Sequence, residues 1–175
     1  MNNEHQSSPF DPSALIDLAI NQTSDCERYI LDTIVARGGM GLIYKAFDTQ
    51  TERHVAYKVI HPELQQNNQM LERFTYEAEI AARLEHPHIM PVYDSGSDLQ
   101  GRPFYTMKLL QGKTLAQLIE SLATNPSQTS LDELLAMLIK VCNAICYAHQ
   151  QGIIHRDLKP DNIMIGDFGE VLVLD

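Results

Sequence analysis

The chain has no basic run, no signal-like start, no apolar stretch of membrane-spanning length and no internal repeat. Lysine and arginine number 13 against 23 acidic residues, for a net charge of −10. A surface of that sign repels phosphate backbones and anionic headgroups, which argues against nucleic acid or an anionic membrane as main partner. Every apolar run falls short of the roughly 20 residues that cross a bilayer. The start, Met1-Asn2-Asn3-Glu4-His5, is polar where a signal peptide is basic and then apolar. The expected location of this chain is cytoplasmic, which leaves open an anchor in a longer parent. Cysteine is scarce: Cys26, Cys142 and Cys146 are an odd number with no paired spacing. Cys142 and Cys146 lie one helical turn apart on an apolar stripe and read as buried thiols in a reducing compartment.

What is present suits an ordinary domain: 175 residues, 44% of them apolar. Residues 1–27 read as a polar leader, in which Asp11 before Pro12 is a candidate cap for a short helix carrying Leu15, Ile16, Leu18 and Ala19. From Tyr29 the pattern turns strand-like. Tyr29–Val35, Leu42–Asp48 and His54–Ile60, separated by a glycine turn and a polar turn, predict a three-stranded antiparallel meander. Met70, Phe74, Ala78, Ala81 and Leu84 recur at helical spacing and predict a helix over Gln69–Leu84, ended by Pro87. Two more short strands fit near Pro91–Tyr93 and Phe104–Leu109.

The chain then becomes helical. Thr114-Leu115-Ala116-Gln117 and Ser130-Leu131-Asp132-Glu133 are both capping-box signatures. The first opens a helix ending near Ala123, and a polar link with Pro126 follows. The second runs to about Gln150 and stops at Gly152. Its stripe of Leu131, Leu134, Leu135, Leu138, Val141, Cys142 and Ile145 is widened by Ala144, Cys146 and Ala148, so it needs partners on more than one side.

One string carries the most chemistry: His155-Arg156-Asp157-Leu158-Lys159-Pro160-Asp161-Asn162. It supplies a carboxylate to orient a hydroxyl, a cation for phosphate charge and an amide oxygen for Mg²⁺. Upstream, Gly38, Gly39 and Gly41 sit between two strands, where small residues let backbone N–H groups approach phosphates. A plain hairpin turn explains such glycines equally well. Lys58 follows Gly41 by 17 residues, flanked by Val55, Ala56, Val59 and Ile60. In so apolar a strand an unpaired ammonium is costly, so a partner is expected. Glu77, 19 residues on, is the candidate; Glu79 lies about 200° further round the same helix. His86 and His88, two apart with no further ligand nearby, make a weak metal pair and read as structural.

These segments together closely resemble eukaryotic-type protein kinases, over residues 28–175. The resemblance implies an α+β, two-lobe kinase-like fold with ATP and Mg²⁺ as cofactors and a protein Ser or Thr hydroxyl as acceptor. Residues 28–110 would form the N-lobe and hinge, a five-stranded antiparallel sheet with one helix. Residues 111–175 would form the first part of the helical C-lobe. Carried over, Asp157 is the catalytic base, Lys159 the γ-phosphate cation, Lys58 the holder of the α/β-phosphates and Glu77 the holder of Lys58. Val35, Ala36, Gly38, Gly39, Gly41 and Ile43 form the nucleotide-covering loop. Met107 is the gatekeeper, the backbones of Lys108 and Leu110 meet adenine, and Ala56 and Met164 sandwich the ring. Arg156 beside Asp157 is typical of kinases switched by activation-loop phosphorylation. Lys159 favours Ser/Thr over Tyr, and Gly-Gly-Met-Gly suggests the bacterial branch. Ala36 departs from the family's first glycine, which lowers the expected nucleotide affinity.

Asp167-Phe168-Gly169 spells the family's metal motif but reads as a decoy. Ile163–Ile165 and Val171–Val173 predict a hairpin with Gly166–Gly169 as its turn. Asp167 would then lie roughly 15 Å from Asn162, whereas the return strand brings Asp175 back beside it. Asn162 and Asp175 are the expected metal ligands. Because the resemblance stops at Asp175, the chain reads as a kinase domain lacking its activation loop and later helices, and as inactive alone. A partner covering the exposed C-lobe helix is expected. The rival reading is a non-catalytic, pseudokinase-like module that binds nucleotide or a partner.

Overall fold

The computed structural model describes residues 28–125 and 129–174. The leader with Cys26, the Pro126 link and Asp175 lie outside the described residues. The first half is the expected sheet: β1 (Tyr29–Arg37), β2 (Gly41–Asp48), β3 (Arg53–Ile60), β4 (Val92–Ser97) and β5 (Pro103–Lys108). All neighbours are antiparallel, in the order β1-β2-β3-β5-β4. Strand alternation divides the side chains between two faces. Tyr29, Tyr44, Val55, Tyr57, Val59 and Phe104 pack on one face, where Tyr57 and Phe104 stack at 4.5 Å. Ala56, Ile60, Tyr105 and Met107 take the other, under the helix α1 (Asn68–Arg83). That helix begins where Asn67 accepts the N–H of Met70. It buries Phe74 and Ala78, four residues apart on one face.

A guanidinium network ties the sheet's outer corner. Arg28 donates from Nε and Nη2 to the two oxygens of Asp48, each at 3.1 Å, and from Nη1 to Asp94 at 2.7 Å. Asp48 also accepts the Thr51 hydroxyl and the Gln50 N–H. These donors, Arg28 first, hold the Asp48 carboxyl far below the usual carboxylate range. The Tyr29 hydroxyl donates to Asp94 at 2.8 Å, and burial pushes its pKa up to about 12.

The second half holds α2 (Leu115–Thr124), α3 (Leu131–Gln150) and a second sheet. Both capping boxes form, Thr114 with Gln117 and Ser130 with Glu133. At the end of α3 the Ile153 N–H donates to the Ala148 carbonyl and the Gly152 N–H to that of His149. This double closure needs a left-handed residue, and Gly152 has φ +75°. The sheet contains the predicted hairpin, β7 (Ile163–Gly166) with β8 (Val171–Val173), plus β6 (Gly112–Thr114) on β7. No alternation in Gly-Lys-Thr marks β6; its pairing is tertiary.

One expectation fails. Cys142 and Cys146 are exposed, not buried. The covered stripe of α3 is Val141, Ala144 and Ala148, of which Val141 and Ala144 pack with Ile89, Ile163, Val171 and Val173. The cysteines lie on neighbouring, uncovered positions with Leu131, Leu135, Leu138 and Ile139, all exposed. Among the described residues no helix is long and apolar enough to cross a membrane.

Candidate functional site

Lys58 sits mid-strand on β3 and is only 4% exposed. Its Nζ donates to Glu77 Oε1 at 2.6 Å. Burial makes this partner obligatory, since an ammonium without a counter-charge in such a setting is strongly unfavourable. Glu79 is exposed on another side of α1, as the helical angle requires.

The glycine turn closes with the Gly38 N–H on the Gly41 carbonyl at 2.9 Å. Gly41 has a packing reason of its own: a Cβ there would collide with the Val59 carbonyl oxygen. Gly39 faces open space and Gly38 meets only ordinary contact, so these two leave room for a ligand. Ala36 pairs with Ile43 within the β1–β2 ladder, and Val35 is exposed beside it. Beneath the turn, Ile43, Ala56, Met107 and Leu110 belong to one apolar cluster together with Leu172. Met164 is half-buried on β7, opposite Leu172 and Thr114.

The Lys108 side chain reaches across to the β7–β8 turn and donates to Glu170 at 3.0 Å. Lys108, more than any other neighbour, lowers the Glu170 carboxyl pKa.

The loop from His155 to Asn162 is held from both ends. His155 Nε2 donates to the Leu174 carbonyl at 2.9 Å. Arg156 has φ +66°, a left-handed conformation uncommon for a residue with a Cβ, and its strain reverses the chain before Asp157. Asn162 Nδ2 donates to the Asp157 carbonyl at 2.9 Å and to Asp157 Oδ2 at 3.2 Å. Lys159 Nζ donates to the same Oδ2 at 2.7 Å. That bond lowers the Asp157 pKa and raises that of Lys159. Asp157, Lys159 and Asn162 thus converge on one exposed point. The carboxylate is ionised at neutral pH, and the Asn162 amide turns its nitrogen inward, which leaves Oδ1 as the oxygen donor.

Asp167 lies in the hairpin turn, its N–H on the Gln111 carbonyl at 3.1 Å, away from this cluster. His86 and His88 bind the protein itself. His86 Nδ1 accepts the His88 N–H, its ring stacks on Tyr147 at 5.2 Å, and His88 Nδ1 lies 3.2 Å from the Val171 carbonyl oxygen. Burial, then His88, lowers the His86 pKa.

Three contacts were not readable beforehand: the Arg28 network, Lys108 with Glu170, and a second donor on Glu77, the hydroxyl of Tyr105 at 2.6 Å. Tyr105 lies two residues before Met107 and therefore on the same face of β5. That period of two was the one available signal.

A family model described as protein kinase domain matches residues 29–175. The serine/threonine-protein kinase PknD of Chlamydia felis is 41% identical over 156 residues, and that of Chlamydia pneumoniae 42% identical over 156 residues. Each match covers 85% of this chain and 17% of the relative, so the chain spans under a fifth of their length. Among solved structures, the PknI kinase domain of Mycobacterium tuberculosis matches with a TM-score of 0.71 at 29% identity. That match covers 89% of this chain and 61% of that one. A second structure of the same domain gives a TM-score of 0.68 at 31% identity, covering 84% and 57%.

Proposed function

Because the chain belongs to the protein kinase domain family, we propose that it carries the nucleotide-binding and phosphoryl-transfer residues of a bacterial serine/threonine kinase. The reaction is transfer of the ATP γ-phosphoryl group to a Ser or Thr hydroxyl of a protein. The convergence of Asp157, Lys159 and Asn162 on one point, with Lys58 fixed by Glu77, is the observation that carries this reading.

The residues divide the work. Ala56, Met107, Leu110, Ile43 and Met164 offer apolar surface for the adenine, with the backbones of Lys108 and Leu110 as its polar edge. Gly38 and Gly39 admit phosphate oxygens to backbone N–H groups. Lys58 neutralises charge on the α/β-phosphates and is kept in place by Glu77. Asn162 and Asp175 supply hard oxygen donors, the class that Mg²⁺ takes. When bound there, Mg²⁺ neutralises charge on the phosphate oxygens and orients them. Asp157, kept ionised by Lys159, accepts a hydrogen bond from the incoming hydroxyl and aims it. Lys159 keeps further N–H donors for the transferred group. Catalysis of this kind is mainly positioning and charge stabilisation.

A second reading, a non-catalytic module that binds nucleotide or a partner, is favoured by the uncovered apolar face of α3. One experiment separates the two. The purified chain is given Mg²⁺ and γ-labelled ATP with a generic Ser/Thr protein substrate, and MgADP binding is measured alongside. Transfer that disappears in Asp157→Asn supports the kinase reading for this chain. Binding that depends on Lys58, without transfer, supports the module. Absence of both overturns the site.

A further inference from the structure

Glu77 Oε1 accepts two short bonds, one from Lys58 Nζ and one from the Tyr105 hydroxyl, each at 2.6 Å. Tyr105 is 2% exposed and stands directly opposite Lys58 in the β3–β5 ladder. Its ring packs on Phe74 of α1 at 5.4 Å, and the Lys58 ammonium lies 5.3 Å from the ring centroid.

We propose that Tyr105 is a positioning residue for the nucleotide-binding lysine: its hydroxyl fixes Glu77, and its ring and Glu77 together aim the Lys58 ammonium at the nucleotide phosphates. The inference rests on the reading of Lys58 as the phosphate-holding cation.

The physical argument is one of rigidity. Lysine reaches Glu77 on a flexible four-carbon stem, and α1 touches the sheet only through side chains. Tyrosine has a stiff ring on a central part of the sheet, so its hydroxyl stays in place whether or not Lys58 is engaged. An O–H···O⁻ bond of this length is the strong, charge-assisted kind. The ring face adds attraction for the ammonium within the usual cation–π range of about 6 Å. With Tyr105 holding Glu77, Lys58 can turn N–H groups toward phosphate oxygens without releasing α1. A residue that only stapled the helix to the sheet would affect every ligand of the cleft alike. A residue that aims Lys58 acts on phosphates and leaves the adenosine part alone.

The test uses the 175-residue chain. Dissociation constants for MgADP and for adenosine are measured by calorimetry for wild type, Tyr105→Phe, Lys58→Met and the double variant. Tyr105→Phe keeps the ring and removes one oxygen. We expect adenosine binding to be unchanged and the preference for MgADP over adenosine to fall roughly 3- to 10-fold, the net worth of one ordinary hydrogen bond, because Glu77 keeps its bond from Lys58. The double variant should match Lys58→Met alone. An unchanged preference in Tyr105→Phe, or an equal loss for both ligands, overturns the proposal. If wild type shows no Lys58-dependent preference, the reading of Lys58 itself fails, and Tyr105 with it. Amide exchange in Lys58→Met gives an independent check that needs no change at Tyr105. The α1 amides around Glu77 should stay protected, and their release would show that the hydroxyl does not hold the helix.

Discussion

The main-chain N–H of Leu174 donates to the carbonyl of Asn162 at 2.9 Å, one step beyond the last β7–β8 pair, Ile163 with Val173. The return strand is therefore in register with the residue proposed to hold the metal, while Asp167 is at the opposite end of the hairpin. Asp167→Ala should leave MgADP affinity within about 2-fold of wild type, as for an ordinary surface change. Asp175→Ala should abolish the Mg²⁺-dependent part of that affinity. Calorimetry with and without Mg²⁺ reads both, and the reverse pattern would make Asp167 the ligand.

Removing the buried cation should be costly for phosphates. Lys58→Met should weaken MgADP binding on the order of 10-fold or more, the scale of a lost charge-assisted contact. Glu77→Gln should weaken it less, because the amide oxygen still accepts from Tyr105 and Lys58. A titration in which Glu77→Gln is the more damaging change would contradict this ordering.

The Arg28 network sets an acid limit on stability. The Asp48 carboxyl is held below its unfolded pKa, so its contribution is fully present above about pH 4 and is lost as pH falls below that. Thermal melts of wild type should drop between pH 5 and pH 2. Arg28→Met should cost about 3 kcal/mol at neutral pH, because it strands a buried carboxylate. It should also flatten the acid dependence, and parallel pH curves for the two proteins would contradict the assignment.

The uncovered face of α3 should govern solution behaviour. Leu135, Leu138 and Ile139 are 47%, 56% and 61% exposed on adjoining turns. Such a patch favours association. Leu138→Lys with Ile139→Glu should lower hydrophobic-dye binding and raise the monomer fraction in size-exclusion chromatography. The melting temperature should hardly change, since little burial is lost. A large drop in melting temperature would mean that these side chains are packed after all.

Legibility followed the range of the forces involved. The meander, α1, both capping boxes and the Gly152 stop rest on neighbours a few residues apart, and each is where the sequence placed it. The β7–β8 hairpin followed from two β-branched runs around a glycine turn. Lys58 with Glu77 was found through the cost of burying a charge, helped by helical phase. By contrast, Arg28 meets Asp94 across 66 residues and Lys108 meets Glu170 across 62. Neither pair has a local signal, because only the assembled fold brings them together. The exposed cysteines misled for a related reason: α3 carries more apolar surface than the described residues cover.

The connection after α1 is sewn to the other half of the chain. Val173 donates to the His88 carbonyl and accepts from the Met90 N–H, each at 2.9 Å. The C-terminal end of α1 is thus a fulcrum, and the rest of the helix, about 22 Å long at 1.5 Å per residue, rests on the sheet through Phe74 and Ala78. Glu77 lies about 9 Å from the fulcrum on the same scale. A tilt of roughly 10° would carry its carboxylate about 1.5 Å, beyond hydrogen-bond reach of both Lys58 and Tyr105. The bond lengths at Lys58 and Tyr105 thus tie the charged pair to the tilt of α1 over the sheet.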